Sequence, residues 1–397
     1  MTPRFLVSTV AVAAACTLAL GSLSASERSV RSSSIGGDLI AGRPAPAKNV
    51  TAGADDPDEV RERGIAWLIK RQAKDGGWGA GNWGTDDLSA PSDVATTVVS
   101  IMALLRDAGD TDKHSAAIER AALFVVGAVE TSPDGPRLDT PTGTQPQHKL
   151  GSLVDTHLAA MILGDLAPRF EGETKARLNR GWDKVLGKVQ QAQAADGSFA
   201  DDGWAPVLSG SYAAQSLIKA KEAGRGVVDD DVLEKAERYQ AAQVSESGEF
   251  ATGKAAGVAL YSVAGTMKAN KDAARRGAAS GSAPEAEAAV AQARSVVSAD
   301  ASGALMAGFG SVGGEEMLAY TMISDTLAED GGDTWDAWET KINSYLSGIQ
   351  NKDGSWSGHH CITSTTFVTA TALMTLGAAD HAKLTAARAE GDAPTKL

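Results

Sequence analysis

Apolar residues along this chain return every three or four positions in long runs, and the runs are broken by short polar stretches. That spacing predicts helices with one buried face rather than strands. The clearest stretch lies near the C-terminus. Leu346 stands four residues before Gln350, on the same helical face. Asp353-Gly354 then predicts a tight turn, because glycine accepts positive φ and the Asp side chain bonds its own backbone. Trp356 follows at once. Phe367, Val368, Ala370, Leu373, Met374 and Leu376 mark a second, apolar helix that runs from Ile362 and stops at Gly377. The unit is helix, turn, helix.

The same order of residues recurs. Gln72 precedes Asp75-Gly76-Gly77-Trp78, Gln193 precedes Asp196-Gly197-Ser198-Phe199, and Gln243 precedes Ser247-Gly248-Glu249-Phe250. The step from Gln to the aromatic residue is six positions in three copies and seven in the Gln243 copy. Leu68, Val189, Tyr239 and Leu346 each stand four residues before the glutamine. Weaker turns at Asp134-Gly135 and Asp300-Ala301-Ser302-Gly303 fill the gaps, so successive turns are 59, 62, 51, 53 and 53 residues apart. Six helical hairpins at such a period are an internal repeat. One hairpin cannot bury its apolar face alone, so neighbours stack, and six can close into a ring with one helix of each pair inside. A glutamine amide has donors and an acceptor enough to tie one turn to the backbone of the next helix, with the aromatic ring wedged between hairpins.

Outer helices are expected from Pro57 to near Arg71, Ser115 to Val129, Thr174 to Gln193, Asp230 to Gln243 and Glu285 to Val297. Their inner partners are expected after Ser92-Asp93 and over Lys149–Leu166, Val207–Ala220 and Lys254–Met267, with a fifth starting at Gly313. The stretch with Pro133, Pro136, Pro141 and Pro146 reads as a long loop over one rim. Lys268 to Pro284 reads as a mobile insertion.

These residues resemble the repeat of the squalene–hopene cyclases and of the protein prenyltransferase β subunits. The likeness rests on Gln72…Gly76-Gly77-Trp78, Gln193…Gly197-Ser198-Phe199 and Gln350…Gly354-Ser355-Trp356, and spans about residues 56–381. It implies an all-α fold, an (α/α)6 toroid of six helical hairpins around a central cavity. Activity does not travel with the fold. The Asp-x-Asp-Asp acid of the hopene cyclases is absent, and aromatic residues make up only 5 % of the chain, few for a cavity that stabilises carbocations.

The ends add organisation. Residues 1–25 read as a secretory signal, with Arg4, an apolar run from Phe5 to Leu20 and small residues ending near Ala25. Residues 26–55 read as a flexible linker, 56–381 as the toroid and 382–397 as a polar tail. The expected location is outside the cytoplasm, periplasmic or secreted, with no membrane span once the signal is removed. The net charge is −13, and loss of Arg4 with the signal moves it to −14. An acidic protein without a Lys/Arg cluster is a poor nucleic-acid binder. Of two cysteines, Cys16 lies in the signal, which leaves Cys361 without a partner for a disulfide.

Polar residues near the starts of inner helices gather at one mouth of a toroid. The catalytic candidates are therefore Asp155, His157, Glu315, Glu316 and Tyr320, with Asp93 and Thr96 beside them. His359, His360 and Cys361 offer two imidazoles and a thiol, ligand types that zinc accepts. By the resemblance, Cys361 sits near the zinc cysteine of the protein prenyltransferases, but His359 stands where they carry an aspartate. The plainer reading makes Cys361 a small buried residue at a helix start. Helix N-termini also favour acids, so some of the carboxylates read as caps. The leading functional expectation is a toroid that binds an apolar or extended ligand in its central cavity. The alternatives are a carbohydrate- or lipid-active enzyme on the same ring, or a structural module for protein interaction.

Overall fold

The computed structural model describes residues 56–82, 89–199, 202–278, 283–390 and 394–397. The signal segment 1–25 and the linker 26–55 lie outside the described residues. Among those described, regular structure is helical, with three isolated β-bridges and no strand. The first hairpin is α1 (Pro57–Lys70) and α2 (Val94–Ala108). The second is α3 (Ser115–Thr131), a short α4 (Gln145–Leu150) and α5 (Val154–Leu166), which ends in a 3-10 turn (Ala167–Arg169). The third is α6 (Gly172–Gln191) and α7 (Pro206–Glu222), and the fourth α8 (Asp230–Ala241) and α9 (Ala259–Ala278). The fifth is α10 (Pro284–Ser298) and α11 (Gly314–Asp330). The sixth is α12 (Gly332–Ile349) and α13 (Thr365–Leu376), followed by α14 (Ala378–Ala389).

Helices α2, α5, α7, α9, α11 and α13 pack each against the next, and α13 packs back on α2. That closes the ring. Composition decides which helix goes inside. Of α2 only Asp107 escapes burial, and of α13 only Leu376, because these helices are apolar or small on every side. Helix α8 buries only Leu233, Ala236 and Gln240 and turns its charges to water.

The turns explain how neighbours are held. Gln72 Nε2 donates to Gly76 O at 2.8 Å and to Ala117 O of α3 at 2.8 Å. Gln193 Nε2 donates to Gly197 O and to Val232 O of α8. Gln350 Nε2 donates to Gly354 O and to Val60 O of α1, so the last hairpin is stitched to the first. Gly76, Gly197 and Gly354 all have φ near +92° to +93°, and a Cβ on them would lie 2.4–2.6 Å from a carbonyl of the next outer helix. Only glycine fits such a contact. The indoles of Trp78 and Trp356 each donate to the carbonyl of the leucine four before the glutamine, Leu68 and Leu346, at 2.9 Å. The fourth copy departs. Gln243 Nε2 turns back to Tyr239 O of its own helix, and Phe250 is only partly buried.

Four expectations shift. The second inner helix does not run from Lys149, because Gly151 at φ +102° separates α4 from α5. Lys268 onward is not an insertion but continues α9 to Ala278. Lys268 pairs with Asp272 and Glu329 inside the protein, and Asn270 Nδ2 donates to Gln240 O and Thr266 O, so these donors are satisfied by the protein. The last inner helix starts at Thr365 rather than Ile362, since Cys361 has φ +54° and Ser364 supplies the cap. The segment from 382 is not a free tail: its first part belongs to α14, which packs on α11, and Leu397 N donates to Arg169 O. No described helix is long and apolar enough to cross a membrane.

Candidate functional site

The ring has two mouths. The inner-helix N-termini open toward the first, and the predicted residues lie there. Most of them hold loops. Asp93 caps α2 through Thr96 N at 2.7 Å and also accepts Ala80 N. Asp155 accepts Ala95 N at 2.8 Å, Gln147 Nε2 at 2.6 Å and Thr140 Oγ1 at 2.9 Å, so it caps a neighbouring helix and ties down the proline-rich loop. Burial raises the proton affinity of both carboxyls, and their closeness raises that of Asp93 further. His157 Nδ1 lies 2.7 Å from Ser209 Oγ, and burial pushes its pKa down to about 4. Tyr320 donates its hydroxyl to Met306 O.

A second group forms around Glu315 and Glu316. Glu316 accepts the Tyr261 hydroxyl and Phe309 N, and its other oxygen lies 3.3 Å from His360 Nε2. His360 also bonds Ser311 O at 2.8 Å. Glu315 accepts Ile362 N at 3.2 Å, and the Cys361 side chain is close enough to feel its charge. Burial and the adjacent Glu316 push Glu315 up to about 8, so it carries a proton at neutral pH. Burial and Glu315 likewise push the Cys361 thiol up to about 12. His359 donates its backbone N–H to Val312 O. The triplet precedes the helix instead of opening it, and its members face different partners. Among the described residues no three His, Cys, Asp or Glu side chains are placed to hold a metal ion.

The other mouth, where the inner helices end, holds a cavity of about 510 Å³. None of the predicted site residues lines it. Arg106 of α2 makes a bidentate pair with Asp325 of α11 at 2.7 and 2.8 Å and also donates to Met374 O of α13. Lys219 of α7 pairs with Asp165 of α5 at 2.7 Å, and Lys268 of α9 with Asp272 and Glu329. Burial opposes the Lys268 charge, but the acids around it hold it protonated. Met102, Leu105, Met161, Trp182 and Met374 supply apolar wall. Helix α14 contributes His381, Leu384 and Arg388 to the same cavity. Burial drives His381 well below its ordinary pKa, and Arg106, Lys268, Lys219 and Arg388 add to the effect. A wider groove of about 1110 Å³ runs between α9, α10 and α14, but its Lys271 and Arg294 are already paired with Asp330.

Sequence reasoning missed this cavity because a charge in the last turn of a helix reads as solvated. One signal was present. Arg106 is the lone basic residue in a helix otherwise apolar on every side, and such a charge is buried only with a partner.

No family model matches the sequence, and no curated protein matches it. Solved structures do share its fold. The GH76A α-1,6-mannanase of Salegentibacter sp. HEL1_6 is 12 % identical, covering 82 % of this chain and all of its own, with a TM-score of 0.55. The GH76 α-mannanase of Bacteroides thetaiotaomicron is 12 % identical, covering 86 % of this chain and 98 % of its own, with a TM-score of 0.51. The type II terpene cyclase MstE of Scytonema is also 12 % identical, covering 82 % of this chain and 97 % of its own, with a TM-score of 0.50. The chain is an α/α toroid like these.

Proposed function

We propose that this protein is an exported toroid that binds a small amphiphilic ligand in the cavity where its inner helices end. One observation carries the reading: a cavity of ligand size, about 510 Å³, combines apolar walls with charged side chains from five of the six inner helices. A ligand with both an apolar body and a polar head matches that lining better than a bare hydrocarbon does. The MstE structure, in which the cyclase holds geranylgeranyl dihydroxybenzoate, supports the idea that such a ring accommodates molecules of that kind. The test is mass spectrometry of molecules extracted from the purified protein, beside a Met161→Trp variant that fills the cavity. The reading expects a bound amphiphile in the parent and its loss in the variant. An empty parent that no amphiphile stabilises against heat overturns it.

A second reading has its own observation. Glu315 and Glu316 are adjacent and buried at the start of α11, and one of them is proton-bearing. Glycoside cleavage needs a carboxylic acid beside a carboxylate. An inactive variant of the Salegentibacter mannanase replaces two adjacent aspartates. Release of reducing sugar from an α-1,6-mannan by the parent, abolished in Glu315→Gln and Glu316→Gln, would establish this reading. No release would remove it.

A further inference from the structure

We infer that Arg169 and Arg388 form an oxyanion site at the edge of the C-terminal cavity, and that the ligand's polar head is a carboxylate or a phosphate. This rests on that cavity being the ligand site. The inference starts from which cations there are already paired. Arg106 has Asp325, Lys219 has Asp165, Lys268 has Asp272 and Glu329, and Arg275 has Glu222 and Asp272. Arg169 and Arg388 are left. Arg169 stands in the 3-10 turn after α5 and is 0 % exposed, yet only its Nη2 finds a partner, Gly109 O at 3.2 Å. Its Nε and Nη1 are buried with no hydrogen-bond partner. Arg388 of α14 reaches Asp165 only at 4.0 Å, and its Nε is also buried and unpartnered.

Orphaned N–H groups on a buried guanidinium are costly; burial first, and the charge of Arg388 second, lower the proton affinity of Arg169. A tetrahedral or planar oxyanion removes both costs. It accepts from the free edges of the two forks and neutralises the excess charge, and guanidinium geometry suits it. Acids nearby do not remove the need: Asp110 and Asp165 act on Arg169, yet its Nε and Nη1 have no hydrogen-bond partner. The apolar wall of Met102, Met161 and Trp182 continues from the two arginines, which gives a short acyl or alkyl body a place beside the anionic head.

Three probes of equal chain length separate the possibilities: octanoate, octyl phosphate and 1-octanol, titrated calorimetrically into the purified protein at constant ionic strength. The expected result is that at least one anion binds about tenfold or more tightly than octanol, as charge-assisted bonds to two guanidiniums require. The stronger anion then identifies the head group as carboxylate or phosphate. Arg169→Met and Arg388→Met should each abolish that advantage and leave octanol binding unchanged. Arg388 is partly exposed, so its variant carries the test if Arg169→Met does not fold. Equal binding of octanol and both anions, unaffected by either variant, overturns the oxyanion site while leaving the cavity as a ligand site. Failure of all three probes in the parent overturns both.

Discussion

Gln243 and Gln350 occupy equivalent places in the sequence but do different work, and their substitution by methionine separates the two roles. Gln350 is 0 % exposed. Its Nε2 donates to Val60 O at 2.8 Å and Gly354 O at 2.9 Å, and its Oε1 accepts from Arg63 Nε at 3.2 Å and Nη2 at 2.6 Å. Methionine keeps the length and loses all four bonds. Some of the partners can turn to water and some cannot, so the net cost is about 2–4 kcal/mol. Gln243 Nε2 makes one bond, to Tyr239 O four residues back, and reaches no neighbouring hairpin. Gln243→Met should cost about 0.5–1 kcal/mol. Urea unfolding followed by far-UV circular dichroism gives both values as midpoint shifts at constant slope. Hydrogen exchange adds a local signature. Gln350→Met should raise opening of α1, because Val60 is the far side of the stitch that closes the ring. Equal midpoint shifts for the two variants, with α1 unaffected, would refute the claim that the glutamine acts by bridging hairpins.

Gly354→Ala should cost about 2–4 kcal/mol, since its φ is +93° and a Cβ would sit 2.5 Å from Arg63 O, whereas Gly348→Ala in α12 meets nothing within 4 Å and should be neutral or stabilising; equal melting temperatures would contradict this. Glu315 holds a proton in the folded protein up to about pH 8, whereas its ordinary pKa is 4.5. The folded state therefore binds more protons across that window, so the stability this group contributes is complete below pH 4.5 and falls as pH rises to about 8. Glu315→Gln should flatten the decline of stability over that range, and an unchanged slope counts against the buried acid. Cys361, with its thiol pushed up to about 12, should react with iodoacetamide at neutral pH about a thousandfold more slowly than a free cysteine; a rate near that of free cysteine would show an ionised thiol and contradict this.

The hairpins were legible in the sequence because their cause is local. A glycine that must take positive φ, a glutamine one turn from the end of a helix and an aromatic residue six positions on leave a fixed spacing wherever the turn is built. Gln72, Gln193 and Gln350 make the bonds that this spacing predicts. The ring, the inner and outer sorting and the presence of six inner helices followed from the same pattern and from how evenly each helix is apolar. The continuation of α9 past Lys268 was not legible, because only the presence of Glu329 on α11 makes a charge there affordable inside the protein.

The site divides along the same line. Glu315, Glu316, His360 and Cys361 could be expected near one another, since each follows a turn and neighbouring hairpins bring equivalent positions together. Asp93 caps its own helix through Thr96 N, a local contact, but that Asp155 caps the neighbouring α2, and that Cys361 keeps its proton, depended on distances between hairpins. The cavity at the opposite mouth left almost no trace in the sequence. Arg106 and Asp325 are 219 positions apart, and Arg169 and Arg388 line one cavity only because α14 folds back over the ends of the inner helices. Sequence determines which residues repeat at short range. Whether a buried charge is paired or left free is a property of the closed ring, because the dielectric and the partners it meets exist only once the ring has formed.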